Sequence, residues 1–173
     1  MGNNSHQVEP SRWVERWAGC FPLEAAILDV AGGAGRHARL LLERGHHVTV
    51  VDRDCSAISD LKQHPRATVL EADLESCVPF LGSHFGVVLV TNFLLRTLFP
   101  HLIAAVGPGG FLVYETFTSL HARYRRPRDR RHLAAPGELQ NLVTEELDLV
   151  AYEEVVERGS RRAAVARLAA TRP

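Results

Sequence analysis

Three acids stand at or just beyond the ends of short apolar runs: Asp29 in Ile27-Leu28-Asp29-Val30, Asp52 after Val48-Thr49-Val50-Val51, and Asp73 after Ala67-Thr68-Val69-Leu70. Between the first two lies Ala31-Gly32-Gly33-Ala34-Gly35. Glycine lets backbone turn tightly and approach a ligand closely. The helical pattern that starts at Arg36 adds unpaired N–H groups and a partial positive charge at its N-terminus. Asp52 follows Gly33 by 19 positions, close to the roughly 20 expected of a carboxylate that holds ribose hydroxyls. Its two acceptor oxygens suit two hydroxyls. Strand, glycine loop, helix, strand, acid is the order of a nucleotide-binding βαβ unit.

Which nucleotide is a separate question. Gly33-x-Gly35-x-x-Ala38 satisfies the dinucleotide pattern, so a small NAD(P)-binding protein is one reading. Asp29 pulls the other way, because a carboxylate before the loop repels a pyrophosphate. It suits a cationic or zwitterionic ligand, or the ordering of loop N–H groups. Further along, Asn92 follows the fourth apolar run and Glu115 ends the fifth, beside the same crevice. Asn92, Arg96 and Glu115 are the candidates near an acceptor. Against these roles stand an Asx turn for Asn92 and a structural ion pair, with Arg96, for Glu115. Six arginines, Arg123, Arg125, Arg126, Arg128, Arg130 and Arg131, crowd one stretch. They read as a solvated surface loop, as a lid over an anionic substrate, or as a nucleic-acid contact. His37, His101, His121 and His132 lack metal-ligand spacing, so no metal is expected.

The elements that hold these residues follow from patterning. Ser11 caps a short helix with Trp13 and Trp17 on one face, packing on the domain edge or roofing a pocket. Strands are expected at 26–30, 47–51, 67–70, 87–91 and 111–115, with helices at 36–44, 56–64, 97–106 and 136–143. Gly107-Pro108-Gly109-Gly110 reads as a tight turn, and 117–136 as a long surface loop. Leu147 to Val156 and Arg162 to Ala169, around a Gly159-Ser160 turn, read as an antiparallel hairpin, although the alanine-rich second arm has helix propensity. Residues 1–10 form a disordered tail and 11–173 one domain.

The chain has 20 basic and 20 acidic side chains, so charge gives no argument for nucleic acid or an anionic membrane. Cys20, Cys55 and Cys77 fit neither a zinc site nor a disulfide framework, and neither a signal peptide nor a membrane-length apolar run is evident. A cytoplasmic protein is expected, with its oligomeric state open.

Leu28-Asp29-Val30-Ala31-Gly32-Gly33-Ala34-Gly35 resembles the first motif of the small bacterial class I S-adenosylmethionine-dependent methyltransferases, with Ala31 where the first glycine is usual. Ala31 there needs φ below zero or carries strain. Val48 to Asp52 resembles the second motif, Ala72-Asp73-Leu74 the third, and Phe85-Gly86-Val87-Val88 the fourth-strand motif, with Gly86 for the usual Asp. Pro108 to Leu112 resembles the turn before strand five. Asn92 to Arg96, Tyr114 to Phe117, Arg126-Pro127 and Pro136 to Leu139 are similar to a subgroup close to tellurite-resistance-type methyltransferases. Phe93 and Leu95 replace that subgroup's tyrosine and histidine, so a histidine proton-transfer role has no residue here.

The resemblance implies a Rossmann-like class I methyltransferase fold: a mostly parallel seven-stranded sheet with a C-terminal antiparallel hairpin. It implies S-adenosylmethionine as cofactor and a small-molecule acceptor. The implied cofactor-binding set is Asp29, Ala31, Gly33, Gly35, Asp52, Arg53, Asp73, Leu74 and Asn92, with Asp73 at the adenine amino group and Asp29 toward the ligand's amino group. The departures at Ala31, Gly86, Phe93 and Leu95 leave a third reading, a degenerate methyltransferase fold with a binding or regulatory role.

Overall fold

The computed structural model describes residues 9–143, 146–158 and 162–173; residues 1–8 of the tail and the expected Gly159-Ser160 turn lie outside them. One sheet has the order β3-β2-β1-β4-β5-β7-β6. Its strands are β1 (Ala26–Val30), β2 (His47–Asp52), β3 (Ala67–Glu71), β4 (Phe85–Thr91), β5 (Val106–Phe117), β6 (Asp148–Glu157) and β7 (Ala163–Thr171). The first five pair in parallel, while β7 runs antiparallel between β5 and β6. That insertion distinguishes the sheet from the 3-2-1-4-5-6 order of dinucleotide folds.

Strands covered on both faces need no polar alternation. Leu28, Val30, Val88, Val90 and Tyr114 pack with Phe99, Leu102 and Leu139 on one face. Ile27, Val48, Val50, Val87 and Leu89 pack with Trp13, Leu41 and Ile58 on the other. Asp29 shares strand parity with Ile27, and the flanking Leu28 and Val30 point into the opposite layer. Helices α1 (Arg12–Ala18) and α2 (Arg36–Glu43) cover the second face. Ser11 caps α1, its Oγ accepting from Trp13 N at 3.1 Å. The two tryptophans meet edge-on at 5.7 Å, Trp13 Nε1 donates to the Leu168 carbonyl at 3.0 Å, and neither is a wall of the two cavities described below. They are packing residues.

Four expected boundaries shift for identifiable reasons. The helix foreseen over 56–64 is 3₁₀ in character, Ser56–Gln63, broken at Ile58 where φ is −122°. Ile58 is fully buried beneath Gly35. The helix foreseen over 97–106 begins as a 3₁₀ turn, Arg96–Leu98, and becomes α3 (Phe99–Ala105), with Pro100 in its first turn, where no N–H is needed. The Gly107–Gly110 turn is absorbed into β5, because Gly109 N donates to the Arg172 carbonyl and Arg172 N to that of Gly110. The helix expected from Pro136 is the single turn α4 (Glu138–Asn141).

The 117–136 stretch is more ordered than a bare loop. Ser119 N donates to the Ala134 carbonyl, and Ala134 N to that of Phe117, both at 2.8 Å, closing its base. Two 3₁₀ turns, Ser119–Arg123 and Arg130–His132, lie within it. His121, fully buried, stacks on Phe117 at 4.1 Å, accepts from Ala164 N on Nδ1 and donates from Nε2 to the Arg126 carbonyl. The anchors are polar and backbone groups, which leave no apolar periodicity in sequence.

Among the described residues no helix is long and apolar enough to cross a membrane. Likewise, no three His, Cys, Asp or Glu side chains there gather as a metal-holding group.

Candidate active site

The carboxyl ends of parallel strands leave a crevice where helix and loop connections diverge. The glycine loop after β1 fills it, and each position has a distinct constraint. A Cβ on Gly32 would sit 2.5 Å from Val50 Cγ1, so this residue must be small. Gly35 has φ of 73°, and a Cβ there would meet Ile58 at 2.6 Å. Gly33 has φ of 54° with nothing within 4 Å of a Cβ; it faces open space. Ala31 also takes φ of 54°, the strained alternative of the two its sequence position allowed. Gly86 lies at the opposite, N-terminal end of β4, away from this edge.

Asp29 is fully buried, and neither carboxylate oxygen accepts a well-formed hydrogen bond. Burial pushes its pKa up to about 7, with Arg36 opposing and Asp52 reinforcing the shift. Asp52 clamps the loop: one oxygen accepts from Gly33 N at 2.7 Å and the other from Asp54 N at 3.1 Å. Ala72 N donates to the Asp52 carbonyl, which brings the β3 exit alongside. Asp73, exposed, accepts from Glu75 N in an Asx turn, while Leu74 is buried. Arg53 is exposed.

A cleft of about 820 Å³ runs along the loop, lined by Ala31 to Ala34, Arg36 and Arg39 of α2, Thr91 to Phe93 beyond β4, and Glu9 and Pro10. Of the expected cofactor residues, Asp29, Gly35, Asp52, Arg53, Asp73 and Leu74 are not among its walls. A second cavity, about 640 Å³, shares Glu9, Pro10, Arg36 and Asn92 with the first. Asn92 thus stands where the two join, in the left-handed region at φ of 57°, which asparagine tolerates. Its N–H donates to the Glu115 carbonyl at 2.8 Å.

Behind the second cavity lies a polar network that sequence reading did not assemble. Glu115 is buried and pairs with Arg167 at 2.5 Å, whereas the expected alternative partner was Arg96. Arg167 also binds Glu153 and Glu157. Burial alone would lower the Arg167 pKa, but the three carboxylates outweigh it and raise it. Ser11 Oγ donates to the same Glu115 oxygen at 3.0 Å, and Ser11 N donates to His37 Nε2 at 3.0 Å. With Nε2 accepting, Nδ1 carries the proton and faces Thr91 Oγ1 at 3.4 Å. Burial, aided by Arg36, holds the His37 pKa down to about 3, so it stays neutral. The sequence signal for Arg167 is a lone charge inside an alanine-rich strand.

Arg96 lines neither cavity. It makes a two-pronged pair with Glu138 and donates to the carbonyls of Arg131 and Leu133. The Asn92–Arg96 and Pro136–Leu139 motifs are therefore joined by an ion pair that holds the arginine-rich stretch in place. Leu95, at the absent histidine's position, packs against the core, and Phe93 lines the first cleft.

Residues 27–110 match the family model described as a methyltransferase domain. No curated protein matches the chain. Similar solved structures include TehB from Haemophilus influenzae at 17% identity and TM-score 0.77, covering 92% of this chain and 61% of that one. The chain thus spans less than two thirds of TehB. The N-methyltransferase NodS from Bradyrhizobium japonicum WM9 is 17% identical with TM-score 0.73, covering 92% of both chains. The glycopeptide N-methyltransferase MtfA, solved with S-adenosylhomocysteine, is 20% identical with TM-score 0.67, covering 96% and 91%. Likeness at these identities is one of fold. Residues 27–110 thus match a methyltransferase-domain model, and the seven-stranded sheet that contains them has the Rossmann-like fold of class I methyltransferases.

Proposed function

We propose that the chain transfers the methyl group of S-adenosylmethionine to a small-molecule acceptor that arrives already nucleophilic. The observation that carries this reading is the pair of cavities joined at Asn92, one beneath the glycine loop and one beyond it. The residues present fit the cofactor. Asp29 offers a buried carboxylate with no well-formed hydrogen bond at either oxygen, and Gly33 opens onto the cleft. Its volume lies within the range of small-molecule sites.

When bound, the sulfonium supplies an electrophilic methyl group. In this reading Asp29 meets the cationic amino end, directly or through water, and Ala31, Gly33 and Gly35 let backbone approach. Asp52 receives the ribose hydroxyls with its remaining lone pairs, beside Arg53. Asp73 and Leu74 face the adenine. Asn92 lies between cofactor and acceptor and orients the attacking atom.

Neither His37 nor Glu115 is free to act as a general base. The His37 nitrogens are engaged, and Glu115 is held by Arg167 and Ser11. A thiolate, carboxylate or oxyanion needs no base. Calorimetry with S-adenosylmethionine, S-adenosylhomocysteine and NADH tests the donor site. Micromolar binding of the first two, lost in Asp52→Ala, is expected; preference for NADH would overturn the reading.

A further inference from the structure

The second cavity holds more than its share of arginine. Two of its acids, Glu115 and Glu157, are bound by Arg167, which offsets part of their charge. Around that wall, Arg12 at the start of α1, Arg125 in the anchored 117–136 stretch and Arg158 after β6 converge on one space from three distant segments. None of the three has a carboxylate partner among the described residues. Arg36 also lines the cavity and Glu9 is the remaining acid of its wall, so five guanidinium groups stand against three carboxylates, an excess of two positive charges.

Resting on the methyl-transfer reading, we infer that the acceptor carries an anionic oxygen group, a carboxylate, phosphate or sulfate, seated by Arg12, Arg125 and Arg158 while its reacting atom reaches Asn92. Guanidinium groups recognise such oxygens in a planar, two-pronged geometry. Anchoring the far end fixes the direction of attack, which is the main service a displacement without a base requires. Arg125, half-buried, gives the anchor a fixed member; the exposed Arg12 and Arg158 close around it. The more outlying arginines of the same stretch, such as Arg128 and Arg130, line neither cavity.

The test is a calorimetric titration of inorganic phosphate into protein saturated with S-adenosylhomocysteine, at constant ionic strength. Millimolar binding is expected, weakened at least tenfold in Arg125→Gln/Arg158→Gln and within twofold of wild type in Arg128→Gln/Arg130→Gln. S-adenosylhomocysteine affinity within twofold of wild type in both shows that the variants are folded. Acids should then be methylated where their amides are not. No phosphate binding by the loaded wild type would overturn the inference. Equal losses in the two double variants would overturn it too, since they would mark a diffuse basic surface. Failure of S-adenosylhomocysteine to bind would instead overturn the methyl-transfer reading itself, and the acceptor role with it.

Discussion

Two carboxylates lie buried at the same edge of the sheet, and they are treated in opposite ways. Glu115, behind the second cavity, accepts from Arg167 and Ser11, and Arg167 is in turn tied to two further glutamates. Asp29, beneath the glycine loop, has no well-formed hydrogen bond at either oxygen. Beside it Ala31 sits in the left-handed region that only glycine enters without cost. Burial of a charge is unfavourable unless it is paired. The Glu115 end is therefore built for stability in its inner layer, whereas the Asp29 end holds strain and an unsatisfied charge.

Breaking the satisfied end should have the largest effect. Arg167→Met leaves Glu115 buried without a counter-charge and should destabilise the fold by about 3–5 kcal/mol in urea unfolding. Adding Glu115→Gln should recover most of that loss; no recovery would mean that the pair is not the source.

The unsatisfied end should respond in the opposite direction. The folded pKa of Asp29, about 7, lies above its ordinary 3.8. The folded state thus binds this proton more tightly, and the cost of the charge grows as pH rises from about 4 to 7. Asp29→Asn should stabilise the protein at pH 8, by up to about 4 kcal/mol, and by little at pH 4. The same substitution should weaken S-adenosylhomocysteine binding. A variant less stable at pH 8 than wild type would show that Asp29 has a protein partner in solution.

Two smaller changes sharpen the contrast. Ala31→Gly removes left-handed strain but loosens the unfolded chain, for a net gain of about 0.5–1 kcal/mol in thermal or chemical unfolding. Asp60→Asn breaks the pair with Arg39 of α2, where the side chains are 60% and 29% exposed. Its effect should stay below about 0.5 kcal/mol, because water already screens the charges.

The legible parts of the molecule are the local ones. Asp29, Asp52 and the glycine loop were readable because strand, turn and helix start follow each other within one βαβ unit. The alanine-rich Ala163–Thr171 was readable as a strand against its helix propensity, since burial between β5 and β6 decides its structure. What was not legible crosses long stretches of chain. Glu115 and Arg167 are 52 positions apart, Arg96 and Glu138 42, and Ser11 and His37 26. Each depends on where the sheet places two distant segments, and none leaves a periodic trace. Arg96 shows the consequence: adjacency to Asn92 suggested an acceptor role, but its geometry makes it the latch of the arginine-rich stretch.

The insertion of β7 between β5 and β6 also orders events during synthesis. β7 is the last of the seven strands to leave the ribosome, yet it belongs in the interior of the sheet. Until it arrives, β5 and β6 each present an unpaired edge, the kind of surface on which nascent chains associate wrongly. Glu115 meanwhile waits for Arg167. The wall of the second cavity is thus completed only after translation has passed residue 167, so a ribosome-bound chain stalled before that point should hold the glycine loop without a finished second cavity.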